Sequence, residues 1–314
     1  MASEDENSFG HSDSKKQTNR GPTNVWDNTI REQMPEILDI LLIDRTTSTP
    51  RKTKNIIWAN DHYIKYGYNA YAPTAEMKRE LVTGIMSNII VPRSLKTNSL
   101  KKERTKEKAE VFTPTWVVKR QNDEVDKDFL NDDLATYINR KWLEVTCGEG
   151  PYMTTRYDMD TGVIIPIEER VGFVDRKLSR INKEITDKVE WQQLAEVAYK
   201  SAYGFEWNGD SLLLARENLL YTYRDYYMDK WGDEPSVESL KKIAEIISYN
   251  VFQMDGLKYI IPLSDQQEKI VHVQLSLFDD DEIVTETNVS TGVRVKVMNW
   301  ETNRLEFFDK GVTS

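Results

Sequence analysis

The run Leu143-Glu144-Val145-Thr146-Cys147-Gly148-Glu149-Gly150-Pro151-Tyr152 reads as a short apolar strand entering a glycine-rich turn, with an acid just before it. Gly148 and Gly150 let the main chain approach a ligand closely and leave N–H groups facing it. Three further features fall in order around it. Phe112-Thr113-Pro114 forms a turn ahead of it, Glu206 ends a second strand, and Asp255 ends a third. In an open α/β sheet, ligands bind outside the carboxyl ends of the strands, so all four converge on one edge. There Glu206 can accept hydrogen bonds from both hydroxyls of a ribose, and Asp255 can accept one from the exocyclic amine of adenine. The chemistry implied is the holding of a nucleoside-bearing cofactor. Each group also has a plainer role: strand-terminal acids cap helices, and Asp255-Gly256 is a common turn pair. Cys147 reads as a small packed side chain, since no histidine lies near it in sequence.

The elements that must position these groups follow from periodicity. Trp26 to Ile43 has Ile30, Met34, Ile37, Leu38 and Leu41 at helical spacing. Ile56 to Ala59 reads as a strand and Ala75 to Met86 as a helix. The turn at 112–114 leads into Trp116-Val117-Val118. A helix over Asp133 to Lys141 precedes the strand Trp142 to Thr146. Trp191 to Ala202 is helical and feeds the strand Tyr203 to Glu206. Asp210 is placed to cap the next helix, whose broad apolar side holds Leu212, Leu213, Ala215, Leu219, Leu220 and Tyr223. A further helix runs from Pro235 to Ser248, with Leu240, Ile243, Ala244 and Ile247 inward. Tyr249 to Met254 is the third strand. Gly292 to Trp300 and Arg304 to Phe308 make a hairpin around Glu301-Thr302-Asn303. Alternating strands and helices predict an α/β fold, a mostly parallel sheet with helices on both faces. A mainly helical region, residues 24–108, precedes it, and a β-rich extension, 263–314, follows.

Composition narrows the function. At 314 residues the chain can bury a full core, and no apolar run approaches the roughly 18–20 residues of a membrane helix. A single cysteine excludes an internal disulfide framework. His11, His62 and His272 are too scattered to suggest a zinc site. Residues 1–23 are polar throughout and read as a disordered tail, not an export signal, so a cytoplasmic protein without membrane partners is expected. The net charge of −10 argues against binding DNA through the overall field. Arg93, Lys96, Lys101, Lys102, Arg104, Lys106 and Lys108 form the densest basic stretch. It reads as a solvated connector and is also the best DNA-facing segment.

Taken together, Ala109 to Val118, with its Phe112-Thr113-Pro114, resembles the cofactor segment of adenine-N6 DNA methyltransferases. Leu143 to Tyr152 is similar to their glycine-rich motif, Tyr203 to Leu220 to the next strand and helix, and Asn250 to Leu257 to the strand after that. The likeness covers residues 109–262, and the whole chain resembles modification subunits of bacterial restriction–modification systems. It implies a methyltransferase-like, Rossmann-like fold and S-adenosylmethionine as cofactor. Carried onto this chain, the contacts are Phe112, Thr113, Pro114, Glu144, Thr146, Gly148, Gly150, Glu206 and Asp255. The partners it implies are DNA and a restriction endonuclease or specificity subunit.

Two departures bear on activity. A charged insert, residues 161–190, lengthens the interval between Gly150 and Glu206 and reads as a helical excursion or partner surface. The family's catalytic loop, two adjacent prolines followed by an aromatic residue, has no counterpart, since no two of the ten prolines are adjacent. That loop orients the target amine and stacks the flipped base. The alternatives are therefore an enzyme completed by a partner and a catalytically silent scaffold of a restriction or defence complex. Glu76-Met77-Lys78 supplies half of a nuclease metal pattern. An oxidoreductase reading lacks the third glycine, where Pro151-Tyr152 stands.

Overall fold

The computed structural model describes residues 29–96, 113–265, 268–274, 282–288 and 291–311. The tail over 1–23 and most of the basic stretch lie outside them. The chain opens with α1 (Thr29–Gln33) and α2 (Pro35–Leu42). A single helix over Trp26 to Ile43 is not formed. Pro35 breaks it, because proline has no N–H to donate and disfavours helical geometry in the residue before it. Met34 accordingly leaves the helical region, with ψ of 60°. After α2 the chain is irregular. Ile56 to Ala59 forms only isolated bridges, including Ile57 with Glu76. Ala75 to Met86 is two 3₁₀ turns, at Arg79–Leu81 and Gly84–Met86, divided by an extended Thr83 and a left-handed Gly84. The four-residue α3 (Tyr68–Tyr71) lies between.

Next come α4 (Thr115–Asp126), α5 (Leu134–Asn139), β1 (Trp142–Glu144), α6 (Phe173–Glu184), α7 (Lys188–Lys200) and β2 (Ala202–Glu206). They are followed by α8 (Gly209–Trp231), α9 (Val237–Asn250) and β3 (Val251–Gln253). The hairpins β4–β5 (Glu268–Gln274, Glu282–Asn288) and β6–β7 (Lys296–Asn299, Arg304–Phe307) close the chain. Asp133, Asp187 and Ser236 cap α5, α7 and α9, each accepting a backbone N–H three residues on. Asp210 is not a cap: it lies inside α8, and its carboxylate accepts hydrogen bonds from Asn60 Nδ2 at 3.0 Å and the Tyr63 hydroxyl at 2.8 Å.

The fold is mixed α/β around one small sheet. Its strands are parallel in the order β1-β2-β3, with Leu143 opposite Tyr203 and Phe205 opposite Phe252. Side chains alternate between its two faces. Ala202 and Val251 face the main core, shared with Leu212, Leu213 and Ala215 of α8 and Ile243 and Ile247 of α9. Phe205 and Phe252 face the other way, into a second cluster with Met254, Ile261 and Val295, where Phe308 packs on both rings. Helices thus cover one face, while the β6–β7 hairpin and the segment before it cover the other.

Helix α8 is the centre of the core and is buried on all sides. Three successive polar residues on it clasp three different segments. Arg216 donates to the carbonyls of Leu41, Ile43 and Val251 at 2.5, 3.0 and 2.7 Å. Glu217 takes both arms of the Arg31 guanidinium at 2.7 Å, and Asn218 Nδ2 donates to the Glu149 carbonyl at 3.0 Å. At its start, a Cβ on Gly209 would stand 2.1 Å from the Ile57 carbonyl, so only glycine lets the 55–60 segment pack here. The charged 161–190 insert is not an excursion. Phe173, Val174, Leu178 and Ile181 of α6 are buried in the main core.

Candidate functional site

Strand β1 leaves the sheet at Glu144 and curls into a turn over β2. Thr146, Gly148 and Gly150 all take left-handed φ values, of 48°, 54° and 79°. A non-glycine residue there is uncommon, and such backbone persists where surrounding bonds over-determine it. Those bonds come from three buried acids. Glu144 accepts the N–H groups of Tyr152 and Met153 at 3.2 and 2.9 Å, closing the turn. Glu206, at the carboxyl end of β2, accepts the Gly148 N–H at 2.9 Å and the Asn208 N–H at 3.0 Å. Glu149 accepts from the Arg93 N–H and the Tyr157 hydroxyl, both at 2.8 Å. On the helix side, Gly150 comes against Ala215 of α8.

Burial governs the electrostatics. It pushes the Glu144 carboxyl up to about 8, against the pull of the two N–H groups it accepts, with Glu206 adding to the rise. Glu206 is raised in the same way, and Asp210 adds to it. The Cys147 thiol is buried and held well above its ordinary range, first by burial and then by Glu144 and Glu206. A thiol so placed is no nucleophile.

The structure brings some expected residues together and leaves others apart. Glu144, Thr146, Gly148, Gly150 and Glu206 form one turn and its supports. Gly148 is half-buried, and nothing lies within 4 Å of where its Cβ would stand, so its outer side faces open space. Thr146 is exposed, and its hydroxyl donates to the Val145 carbonyl at 2.7 Å. Asp255 follows next but one after Gln253. Its Oδ1 accepts from the N–H groups of Leu257 and Lys258 at 2.9 and 3.2 Å, which is the turn-forming role, and Oδ2 is left for another donor.

Phe112 lies outside the described residues. Pro114 stands at the N-cap of α4, and the neighbouring Thr115 binds Asp158 through both its N–H (3.1 Å) and its hydroxyl (2.7 Å). Trp116-Val117-Val118 is the first turn of that helix. Thr113 and Pro114 make no hydrogen bond to the glycine turn among the described residues. The link is indirect: Asn122 of α4 donates to the Tyr152 carbonyl at 3.1 Å, and Gln121 pairs with the Tyr152 hydroxyl.

Glu149, Tyr157, Asn218 and Arg93 are the supports that residue types alone did not single out. Asn218 also donates to the Tyr157 hydroxyl at 3.1 Å, closing a buried network beneath the turn. Glu149 sits between two glycines, where a solvated acid is the ordinary expectation, and only its distant partners make it a buried one. Among the described residues, no cluster of histidine, cysteine, aspartate or glutamate could hold a metal, and no helix is long and apolar enough to cross a membrane. No family model matches the chain, and neither the curated proteins nor the solved structures contain a match to it.

Proposed function

We propose that the carboxyl edge of the sheet binds S-adenosylmethionine. On this reading the chain is a modification-subunit-like protein related to adenine-N6 DNA methyltransferases, with a methyltransferase-like form of the Rossmann-like sheet. The observation that carries the reading is the Gly148 turn, left-handed and open on its outer side, with Glu206 of the next strand on its N–H. Gly148 and Thr146 offer main chain to the amino-acid end of the cofactor. Glu206 uses three of its roughly four acceptor positions on Gly148 and Asn208, counting Asn208 Nδ2, and keeps one for a ribose hydroxyl. Asp255 Oδ2 is the acceptor for the adenine amine. When bound, the cofactor would supply an activated methyl group for adenine N6.

The chain's own contribution is positioning and exclusion of water. DNA, a restriction endonuclease or specificity subunit, and a cytoplasmic setting belong to this same reading. A silent scaffold that binds cofactor without transferring it is the second reading, favoured by the lack of adjacent prolines in the sequence. Titration calorimetry with S-adenosylmethionine and with a nicotinamide dinucleotide tests the first step. Methyl transfer to unmethylated DNA, with and without the products of neighbouring genes, tests the second. Absence of S-adenosylmethionine binding sinks both readings, and binding without transfer in any combination leaves the scaffold.

A further inference from the structure

The outer edge of β1 is an unfinished strand ladder. Trp142 donates its N–H to the Ser201 carbonyl at 3.0 Å, so Trp142 and Glu144 turn their main-chain groups toward β2. By alternation Leu143 turns its N–H and carbonyl outward. No strand follows β1 on that side, and no hydrogen bond from the described residues reaches the Leu143 main chain there. Its side chains are uncovered too. Leu143 and Val145 are 45% and 61% exposed, on the face that the β6–β7 hairpin covers only over β2 and β3. Alongside runs a groove of about 670 Å³ between β1 and α4, walled by Val125, Phe129, Trp142 and Tyr152. Three parallel strands in this order are what one half of a doubly wound sheet contributes. In such sheets the crevice lies beside the first strand, where the strand order reverses.

We propose that this edge seats an extended segment of a second polypeptide, which adds a strand beside β1. The outward Leu143 groups supply its main-chain hydrogen bonds, and Leu143, Val145 and Val125 take its apolar side chains. Arg140 and Lys141 stand at the entrance to the groove, so the segment carries acids at that end. The Lys141 pairing with Glu301 is between exposed groups and exchanges readily. Such a strand would bring partner residues next to the Gly148 turn. The docking does not rest on the cofactor reading, and its test uses no cofactor.

The probe is a fluorescein-labelled octapeptide that opens with two acidic residues and continues with alternating valine and threonine. It is also made in two forms, N-methylated on one or the other set of alternate amides. Fluorescence anisotropy with the full chain is expected to show binding of the parent peptide and of one methylated form. The other form should be weaker by about tenfold or more, because one set of amides faces the edge. Val145→Lys, which charges an exposed edge, should weaken the parent peptide comparably while keeping the thermal midpoint of the unsubstituted chain. Hydrogen exchange at Leu143 should slow on peptide addition. Equal binding of the two methylated forms, or no binding of the parent peptide, overturns the proposal. So does light scattering that shows a dimer dissolved by Val145→Lys, since the edge would then hold a second copy of this chain.

Discussion

The Glu206 carboxylate accepts the Gly148 N–H at 2.9 Å across 58 residues of sequence, and thereby ties the end of β2 to the turn that leaves β1. The same carboxylate holds Asn208 just before α8, so one acid sets the turn, the strand end and the helix start. Glu206→Ala strands two buried N–H groups and should cost about 1–3 kcal/mol in urea unfolding. Glu206→Gln keeps one acceptor oxygen and should cost less. Both should weaken S-adenosylmethionine by about tenfold or more in calorimetry, consistent with loss of an ionic acceptor. Unchanged affinity in both variants removes Glu206 from the site.

Arg31 and Glu217 form a bidentate pair that is almost wholly buried, with Arg31 also donating to the carbonyls of Ser87 and Ile90. Removing one partner leaves a buried charge, so Arg31→Met alone should cost about 3–5 kcal/mol. The double variant Arg31→Met with Glu217→Leu should recover much of that loss. A double-variant cycle by urea unfolding measures the coupling, and additive losses would contradict a direct pair.

Glu144 makes stability depend on pH. Its folded value, about 8, lies above the ordinary 4.5. The folded chain therefore holds a proton that the unfolded chain has released between those values. The associated stability is fully present below the ordinary value and is lost as pH rises through about 8. Asp175, pushed up to about 6 by burial, acts in the same sense at lower pH. The urea midpoint should fall between about pH 5.5 and about pH 8.5. Glu144→Gln, weaker throughout because it satisfies one fewer N–H, should show a shallower fall. An equally steep fall in the variant would place the titrating group elsewhere.

Cys147 should be inert while the chain is folded. It is buried against Gly204, where a Cβ on the glycine would lie 3.4 Å from the Cys147 Cβ. A disulfide reagent should label it only as fast as the protein opens, and at the free-thiol rate in urea. Rapid labelling in buffer, suppressed by S-adenosylmethionine, would show instead that the turn opens at the site.

The residue pattern by itself determined the elements whose burial is one-sided. Helices α7 and α9 were legible from apolar spacing and their caps, the three strands from short apolar runs, and the β6–β7 hairpin from its turn. Pro35 and Gly84 carry, in the sequence, the breaks that apolar periodicity alone spans. The order of strand, glycine turn and strand-terminal acid was equally legible, because each is a local feature of residue type. Only the tertiary structure decided what the polar groups do. Arg216, Glu217, Asn218 and Glu149 look like solvated side chains in sequence. They are buried because their partners arrive from segments far away in the chain, and a buried polar group is stable only with such partners. The tertiary structure also placed helices on one face of the sheet and a hairpin on the other, and left the outer edge of β1 open. Which elements come to lie side by side depends on the packing of the whole chain, and no local spacing records it.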